Sequence, residues 1–435
     1  MSTLGIINSD PKVRELIEFT FDANSGHEFS LKFLTREDEI LEFLNYDLPE
    51  IVIINFSDPL INIDNIILHI KEDKWLLNFG IVGLFSAEMY NEEYLLTKYK
   101  GINIITLLDN FRLRSHLVKS VQIIEENYQI IFQREFARNL IDEASGHFTL
   151  SNDLLSVPLY AGIGATILSQ RGCINPDSKM HLQLALDELL VNAIEHGNCK
   201  ISYDDKTAAM EEGLSVVDLV SSKCKDPVIR DKKVELQWEI HKDKTIFTIR
   251  DEGDGFDVKA HLRKIRQQDE LSSHGRGIRM ASMFGHELKY NQKGNEVSLI
   301  LKHDTLVEQD IPIGFVHEQV VTVKKGDIVL KEKEPSDYLY YISSGTYSVL
   351  HEGKSVGILT PQDIFMGEMS FLLNKKRSAS VRADSPGKLI LLTRKNFINV
   401  IREYPHYGIF MSKLLAKRLV RSNALNADLN RMLHD

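Results

Sequence analysis

The stretch DELLVNAIEHG at residues 187–197 decides the fold of this chain, together with RDEGDGFD at residues 250–257 and HGRGI at residues 274–278. In the first stretch, leucine continues an apolar face begun by Leu182 and Leu186, which predicts a helix. The second stretch is an acidic, glycine-rich turn, and the third places two glycines before an apolar helical segment. The three stretches predict a site where the edge of a helix meets two glycine-rich loops.

The composition of the 435-residue chain excludes several classes of protein. Its length predicts about two to four domains, and 43% hydrophobic content is normal for globular cores. A net charge of −10 argues against a nucleic-acid-binding body. Three cysteines fit a reducing compartment, and the sequence shows neither a leader nor a long apolar run. We therefore expect a soluble cytoplasmic protein that binds neither nucleic acid nor membranes.

The first 127 residues alternate between strand and helix patterns. Residues 51–54 form a β-branched run with little alternation, as in a strand buried on both faces, and residues 81–85 and 102–105 are similar. Residues 13–21 have helical spacing. This alternation predicts a parallel sheet with helices on both faces, an α/β flavodoxin-like fold over residues 1–127.

This layout resembles a response-regulator receiver domain, but the chemistry departs from that family. The family's acidic pair, phosphoryl-accepting carboxylate and lysine are replaced here by Asn8 and Ser9, by Asn55, and by Asp109. Only Ser86 matches a reactive position, and an amide is a far poorer nucleophile than a carboxylate. We predict a pseudo-receiver used for docking or dimerisation, with phosphorylation of Asp10 or Asp58 as the alternative.

A helical pattern connects this region to the next one. Val118, Val121 and Ile124 recur at helical spacing and are followed by Ile130, Ile131 and Phe136. We expect a linker helix over residues 128–143. The pattern is compatible with an amphipathic helix against its own domain or with a short dimerising coiled coil, so a homodimer is one alternative.

Residues 144–304 carry the three opening stretches. Asn175 and Pro176 can cap a helix, in which Glu188, Asn192 and His196 stand four apart and predict a stripe along one edge. Alternating patterns predict strands at residues 234–240, 245–250 and 297–301.

This ordered set of helix, strand, glycine-rich loop and strand resembles the GHKL ATPase superfamily, in its anti-sigma-factor serine-kinase branch. The resemblance implies an α/β sandwich that binds ATP with Mg²⁺. It makes Glu188 the catalytic general base, Asn192 the Mg²⁺ ligand and Asp251 the acceptor for the adenine amine. Residues 199–230 depart from the family and are expected to form a peripheral insertion.

Glycines and one arginine complete the implied ATP site. Gly253 and Gly255 permit close approach of the backbone. Gly275 and Gly277 precede a helix and can offer amide groups to phosphate, while Arg276 can neutralise the terminal phosphate.

The resemblance also implies a protein partner, either an anti-sigma-antagonist-like protein or a sigma factor. A histidine kinase would need a phosphoacceptor helix, and His147 lacks the expected context. The alternative function is a non-catalytic scaffold that depends on ATP and a cyclic nucleotide, or a binding protein that sequesters a sigma factor.

From residue 312 onward, short strand patterns and regular turns predict a small β-roll that ends in helices. Glu368 precedes Arg377 by nine positions, and this pattern resembles the phosphate-binding cassette of cyclic-nucleotide-binding domains. Arg377 can pair with the cyclic phosphate and Glu368 can accept from the ribose 2′-hydroxyl. The other predicted cassette residues are Gly367, Met369, Ser378 and Ala379. Ser378 is compatible with cAMP and cGMP, and we take cAMP as the first candidate.

These expectations combine into one hypothesis. The chain is a bacterial signalling protein with a pseudo-receiver at residues 1–127, a linker at 128–143, an ATP-binding domain at 144–304 and a cyclic-nucleotide-binding domain at 312–435. Its activity would be serine/threonine-protein kinase activity regulated by a cyclic nucleotide. A transcription factor is disfavoured, because the chain is acidic and lacks a DNA-reading helix.

Overall fold

The computed structural model describes residues 2–23, 29–73, 78–132, 144–241, 243–258, 287–304 and 311–416. It shows an N-terminal α/β region, a central region with one antiparallel sheet, and a C-terminal β-roll. No helix within these residues is both long and apolar enough to cross a membrane.

The N-terminal region is built on a five-stranded sheet whose strand pairs are all parallel. Its strands are β1 (Ser2–Ile7), β2 (Phe29–Leu34), β3 (Ile51–Asn55), β4 (Gly80–Phe85) and β5 (Ile104–Asp109). Its helices are α1 (Pro11–Asp22), α2 (Glu37–Glu42) with a π-helical turn (Phe43–Asp47), α3 (Ile63–Glu72), α4 (Glu92–Lys98) and α5 (Asn110–Phe132). The order β2-β1-β3-β4-β5 is that of doubly wound flavodoxin-like sheets. Every residue of β3 and β4 is buried, as their apolar sequences predict.

Helix α5 differs from the predicted separate linker. It is one 23-residue helix that continues past residue 127 to Phe132. Val121 and Ile124 are buried in the core that this helix shares with the sheet, and Val118 is buried as well, so the apolar stripe serves its own domain in this region. The remainder of the predicted linker, with Phe136, lies outside the described residues.

The central region places two long helices against one face of an antiparallel sheet. The strands are β6 (Ala144–Leu150), β7 (Val234–Ile240), β8 (Lys244–Asp251), β9 (Glu287–Tyr290) and β10 (Glu296–Lys302), in the order β6-β7-β8-β10-β9. The helices are α6 (Val157–Gln170) and α7 (Pro176–Asn192), and residues 199–230 add α8 (Tyr203–Glu211), α9 (Val216–Lys223) and α10 (Pro227–Arg230). Alternate residues of β7 are buried and exposed, which confirms the predicted alternation.

The start of α7 confirms the predicted cap. Asn175 Oδ1 accepts hydrogen bonds from the backbone N–H groups of Asp177 and Ser178, each at 2.9 Å. Pro176 takes the first helical position, where its missing N–H costs no hydrogen bond.

The C-terminal region is a roll of two four-stranded antiparallel sheets, ordered β11-β18-β13-β16 and β12-β17-β14-β15. The strands are β11 (Gln319–Val323), β12 (Ile328–Leu330), β13 (Tyr338–Ser344), β14 (Tyr347–His351), β15 (Lys354–Leu359), β16 (Phe365–Met366), β17 (Ser380–Ala383) and β18 (Gly387–Thr393). The helices are α11 (Glu368–Leu372), α12 (Arg394–Glu403) and a terminal helix described over residues 405–416.

The N-terminal sheet takes part in two apolar cores. One core combines β5 residues such as Ile105 with Ile163 and Leu186 of the central helices. The other combines Ile54 and Ile70 with Tyr407 from the C-terminal region. The N-terminal region therefore packs against both of the other regions.

Candidate functional site

The helix edge predicted to carry the ATP site is interrupted by a change of helix type. Helix α7 ends at Asn192, and Ala193–Asn198 forms a π-helical turn. Glu188 and Asn192 stand one turn apart on α7, and both are half-buried. The wider π turn breaks the four-residue repeat, so the prediction that His196 extends the stripe is wrong. His196 is exposed, and its Nδ1 donates to the carbonyl oxygen of Ile201 at 2.7 Å.

The first two predicted stretches meet at the end of this turn. A Cβ atom at Gly197 would lie 2.3 Å from Cγ of Asp251. A Cβ atom at Gly253 would lie 2.4 Å from the carbonyl oxygen of Gly197. Both distances are shorter than van der Waals contact, so a Cβ atom at Gly253 would clash with the backbone, and one at Gly197 would displace the Asp251 carboxylate. The structure thus brings together residues separated by more than fifty positions in sequence.

Asp251 is the last residue of β8, and its side chain lies beside Gly197 in the π-helical turn that follows α7. Its Oδ1 accepts from the backbone N–H of Gly253 at 2.8 Å. Burial raises the pKa of Asp251, while the Gly253 N–H and the Lys293 charge act in the opposite direction. A partly desolvated carboxylate gains from a hydrogen-bond donor, and the exocyclic amine of adenine is such a donor.

Sequence reasoning missed two asparagines that hold this loop. The side chain of Asn198 is fully buried, and its Nδ2 donates to Oδ1 of Asn152 at 2.8 Å while its Oδ1 accepts from Glu252 N at 2.8 Å. On the other side, Nδ2 of Asn295 donates to the carbonyl oxygen of Asp251 at 2.8 Å. Their only signal in the sequence is an asparagine beside a glycine, which is common in any turn.

The glycine-rich loop after β8 is held by the turn before β10. Gly255 has a φ of +78°, and a Cβ atom there would lie 1.9 Å from the carbonyl oxygen of Lys293. Lys293 Nζ donates to the carbonyl oxygen of Gly253 at 2.9 Å. The predicted phosphate-side residues Gly275, Arg276 and Gly277 lie outside the described residues, so their roles stay predictions.

A metal at this site would depend on its substrate for most of its ligands. Within the described ranges there is no group of three or more His, Cys, Asp or Glu residues that could hold a metal ion. Mg²⁺ commonly needs only one or two protein ligands when substrate phosphates supply the others. A single amide oxygen, as on Asn192, is compatible with that form of binding.

The predicted phosphate-binding cassette is assembled in the C-terminal roll. Arg377 is only 3% exposed, and its Nη1 donates to the carbonyl oxygen of Gly367 at 2.8 Å and to Oγ of Ser370 at 3.0 Å. Its Nη2 donates to the carbonyl oxygen of Tyr338, whose ring lies below the guanidinium. Gly367 has a φ of +83°, and a Cβ atom there would lie 2.5 Å from Nη1 of Arg377.

The electrostatics of this cassette favour an anion. Burial lowers the pKa of Arg377, although Tyr338, Tyr340 and nearby carboxylates act in the opposite direction. The buried Nε of Arg377 has no hydrogen-bond partner within the described part of the chain. A buried cation with an unused donor is stabilised by a phosphate group.

The other cassette residues surround Arg377 at different depths. Glu368 is buried at the first position of α11. Met369 and Ser378 are exposed, and Ala379 is half-buried. The cassette therefore opens to solvent beside its buried charges.

Asp58, one of the two alternative phosphorylation positions, is held by hydrogen bonds within the N-terminal region. Asp58 accepts from the backbone N–H and hydroxyl of Ser9 and from the backbone N–H groups of Leu60 and Ile61. Burial alone would raise the pKa of Asp58, but these hydrogen bonds outweigh it and lower the pKa. Asn55 donates to Oδ1 of Asn8 at 2.8 Å. Both oxygens of Asp58 are thus committed to joining two loops.

Comparisons with known proteins identify two domain families in this chain. Residues 156–301 match the histidine kinase-like ATPase domain family, and residues 320–404 match the cyclic nucleotide-binding domain family. The chain is therefore a multidomain protein in which a GHKL-type ATPase domain is followed by a cyclic nucleotide-binding domain. These matches support ATP and a cyclic nucleotide as ligands and fit a cyclic-nucleotide-regulated signalling protein.

Similar proteins share only part of this chain. A cGMP-dependent protein kinase of Toxoplasma gondii is 37% identical over 100 residues, which cover 23% of this chain and 10% of that protein. Human potassium/sodium hyperpolarization-activated cyclic nucleotide-gated channel 2 is 33% identical over 111 residues, covering 25% and 12%. The solved catabolite activator protein of Thermus thermophilus is 29% identical, covers 27% of this chain and 56% of that chain, and has a TM-score of 0.25. The chain thus spans about a tenth of the length of these two curated relatives.

Proposed function

We propose that this chain is a cyclic-nucleotide-regulated serine/threonine-protein kinase of the anti-sigma-factor type. The observation that carries the proposal is that one chain assembles two candidate nucleotide sites. The ATP site is defined by the contact between Gly197 and Asp251, and the cyclic-nucleotide site by the buried Arg377. We assign the second candidate site, in the roll, to a cyclic nucleotide that would regulate the ATP site.

In the proposed ATP site, individual residues would take the roles that phosphoryl transfer needs. Asp251 would accept the adenine amine, and the amide oxygen of Asn192 would hold Mg²⁺, which neutralises phosphate charge when bound. Glu188 stands one helical turn before Asn192 and would take the proton from the attacking serine hydroxyl. Gly275, Arg276 and Gly277 would surround the terminal phosphates.

The partner would be an anti-sigma-antagonist-like protein or a sigma factor, in a bacterial cytoplasm. In the roll, Arg377 would pair with the cyclic phosphate and Glu368 with the ribose 2′-hydroxyl, with cAMP as the first ligand to test. The N-terminal region would be a pseudo-receiver used for docking or dimerisation. The four hydrogen bonds to Asp58 support this, because they occupy the carboxylate that phosphorylation would need.

The kinase activity is tested by mixing the full chain with γ-labelled ATP, Mg²⁺ and candidate partner proteins, with and without cAMP or cGMP. We expect label on a partner serine that responds to the cyclic nucleotide and is lost in Glu188→Gln. The matched control is Glu212→Gln, which makes the same change at an exposed position of the insertion. Tight ATP binding with neither transfer nor hydrolysis would contradict a kinase and favour a scaffold.

A further inference from the structure

The terminal helix at residues 405–416 leaves the roll and docks on the N-terminal region. The hydroxyl of Tyr407 donates to Oδ1 of Asp73 at 2.6 Å, and Asp73 is only 2% exposed. The same hydroxyl accepts from the backbone N–H of Gly314 at 3.1 Å. Asp73 follows α3, whereas Gly314 lies at the start of the roll, so a single hydroxyl joins two regions.

Other residues of the terminal helix also contact the N-terminal region. Lys413 Nζ donates to the carbonyl oxygen of Leu48 at 2.7 Å, at the end of the π-helical turn that follows α2. The buried ring of His406 meets the ring of Tyr46 edge to face at 6.2 Å. Nε2 of His406 lies 3.6 Å from Oδ2 of Asp73. The helix therefore contacts one defined surface, formed by residues 46–48 and Asp73.

Tyr407 also belongs to the apolar base of the roll. Its ring packs against Phe315 at 5.5 Å and stacks on Tyr404 at 5.2 Å. Tyr407 and Met411 are buried in the core that includes Ile70 of the N-terminal region. Any shift of the terminal helix relative to the roll must therefore change its contact with Asp73.

The opposite side of the N-terminal region holds the helix of the ATP site. Lys179 on α7 is buried, and its Nζ donates to the carbonyl oxygen of Ile102 at 3.4 Å. Near it, Lys100 forms an ion pair with Asp177 at 2.8 Å. Helix α7 carries the proposed general base, so the loop before β5 is bonded to the start of the helix that ends in the ATP site.

The packing of α6 makes this second contact tight. A Cβ atom at Gly162 would lie 1.8 Å from the carbonyl oxygen of Ile105, so helix and strand touch backbone to backbone. A charged group of the N-terminal region also acts electrostatically on α7. Burial raises the pKa of Asp187 to about 7, and Glu92 of the N-terminal region adds to that rise together with Glu188. A movement of the N-terminal region would change the surroundings of the proposed general base.

We propose that the N-terminal region is the relay between the two nucleotide sites, and that the Tyr407–Asp73 contact is its latch. Cyclic-nucleotide binding changes the docking of the terminal helix on residues 46–48 and Asp73, and the N-terminal region passes that change to α7. Because the two nucleotide sites are then linked through one docking equilibrium, weakening the latch changes both. This inference rests on the proposed regulation of the ATP site by a cyclic nucleotide.

The test uses Tyr407→Phe in the full chain, which removes one hydroxyl and keeps the ring. The matched control is Tyr99→Phe, because Tyr99 donates to Asp64 at 2.8 Å entirely within the N-terminal region. Titration calorimetry gives the Kd for cAMP, cGMP and Mg²⁺-ATP in each protein. We expect Tyr407→Phe to change the cyclic-nucleotide Kd by about three- to tenfold and to reduce the effect of cyclic nucleotide on the ATP Kd, with Tyr99→Phe like the wild type.

Hydrogen exchange provides a readout that needs no ligand. Peptides covering residues 405–416 and 70–73 should exchange faster in Tyr407→Phe than in the wild type or Tyr99→Phe. Unchanged exchange and unchanged Kd values in Tyr407→Phe would overturn the latch. If the wild type binds no cyclic nucleotide, the proposed function fails instead, and exchange alone then decides whether the docking depends on Tyr407.

Discussion

Replacing Gly197 with alanine should weaken ATP binding while leaving the fold intact. The added methyl group would lie 2.3 Å from Cγ and 2.5 Å from Oδ1 of Asp251. Carbon atoms in contact are separated by about 3.5–4.0 Å, so the carboxylate must withdraw by about 1 Å or more. The obstructed atoms belong to a side chain, which can rotate away without moving the strand that carries it.

The expected loss follows from the hydrogen bond that this carboxylate would make. A hydrogen bond to a charged group contributes about 1.5–3 kcal/mol, which corresponds to about 10- to 150-fold weaker binding of ATP. Cyclic-nucleotide affinity should stay within about twofold of the wild type, because the roll is unaffected, and this serves as an internal test of folding.

Calorimetry with Mg²⁺-ATP and, separately, with cAMP or cGMP measures both quantities on one protein. Gly213→Ala is the control, because a Cβ atom at Gly213 meets nothing within 4 Å. Its left-handed φ of +75° makes any loss of stability a backbone effect. Wild-type ATP affinity in a folded Gly197→Ala protein would refute the assignment of Asp251 as the adenine acceptor.

Two further predictions concern the carboxylate of Asp153 and the guanidinium of Arg377. Burial alone would raise the pKa of Asp153, but hydrogen bonds from His116 at 3.0 Å and Lys119 at 2.9 Å outweigh it and hold the pKa below its usual value. The stability that ionised Asp153 contributes is present above about pH 4 and is lost as the pH falls further. In urea unfolding, the free energy of unfolding of the wild type should therefore fall by about 1–3 kcal/mol more than that of Asp153→Asn between about pH 5 and pH 2. Parallel pH profiles for the two proteins would contradict this. Arg377→Ala should weaken cyclic-nucleotide binding by about 10- to 100-fold in calorimetry, whereas the exposed Arg402→Ala should not; equal losses would show that Arg377 does not hold the phosphate.

Local sequence signals predicted the elements that carry the ATP site. The Asn175–Pro176 cap and the alternation in β7 were confirmed because each depends on neighbouring residues alone. The parallel sheet was predicted for the same reason, since a strand buried on both faces is apolar throughout. Receiver ancestry and the individual site roles stay predictions.

The structural features that the sequence did not predict depend mainly on contacts between residues far apart in the chain. The π turn after Asn192 was missed, because the four-residue spacing of polar side chains continues through it in the sequence. Asn198 forms hydrogen bonds with Asn152 and Glu252, which belong to two other segments, and the residues next to Asn198 in the sequence do not indicate these partners. The Tyr407–Asp73 contact spans 334 positions, so no local pattern could reveal that the N-terminal region packs against the C-terminal region.

The central claim is that the two nucleotide sites are energetically coupled within one chain. The most direct measurement is the Kd for Mg²⁺-ATP with and without saturating cAMP or cGMP, together with the reciprocal titration. We predict that the cyclic nucleotide changes the ATP Kd by about fivefold or more, and that ATP changes the cyclic-nucleotide Kd by the same factor. Tight binding of both ligands with identical Kd values in every titration would contradict the coupling.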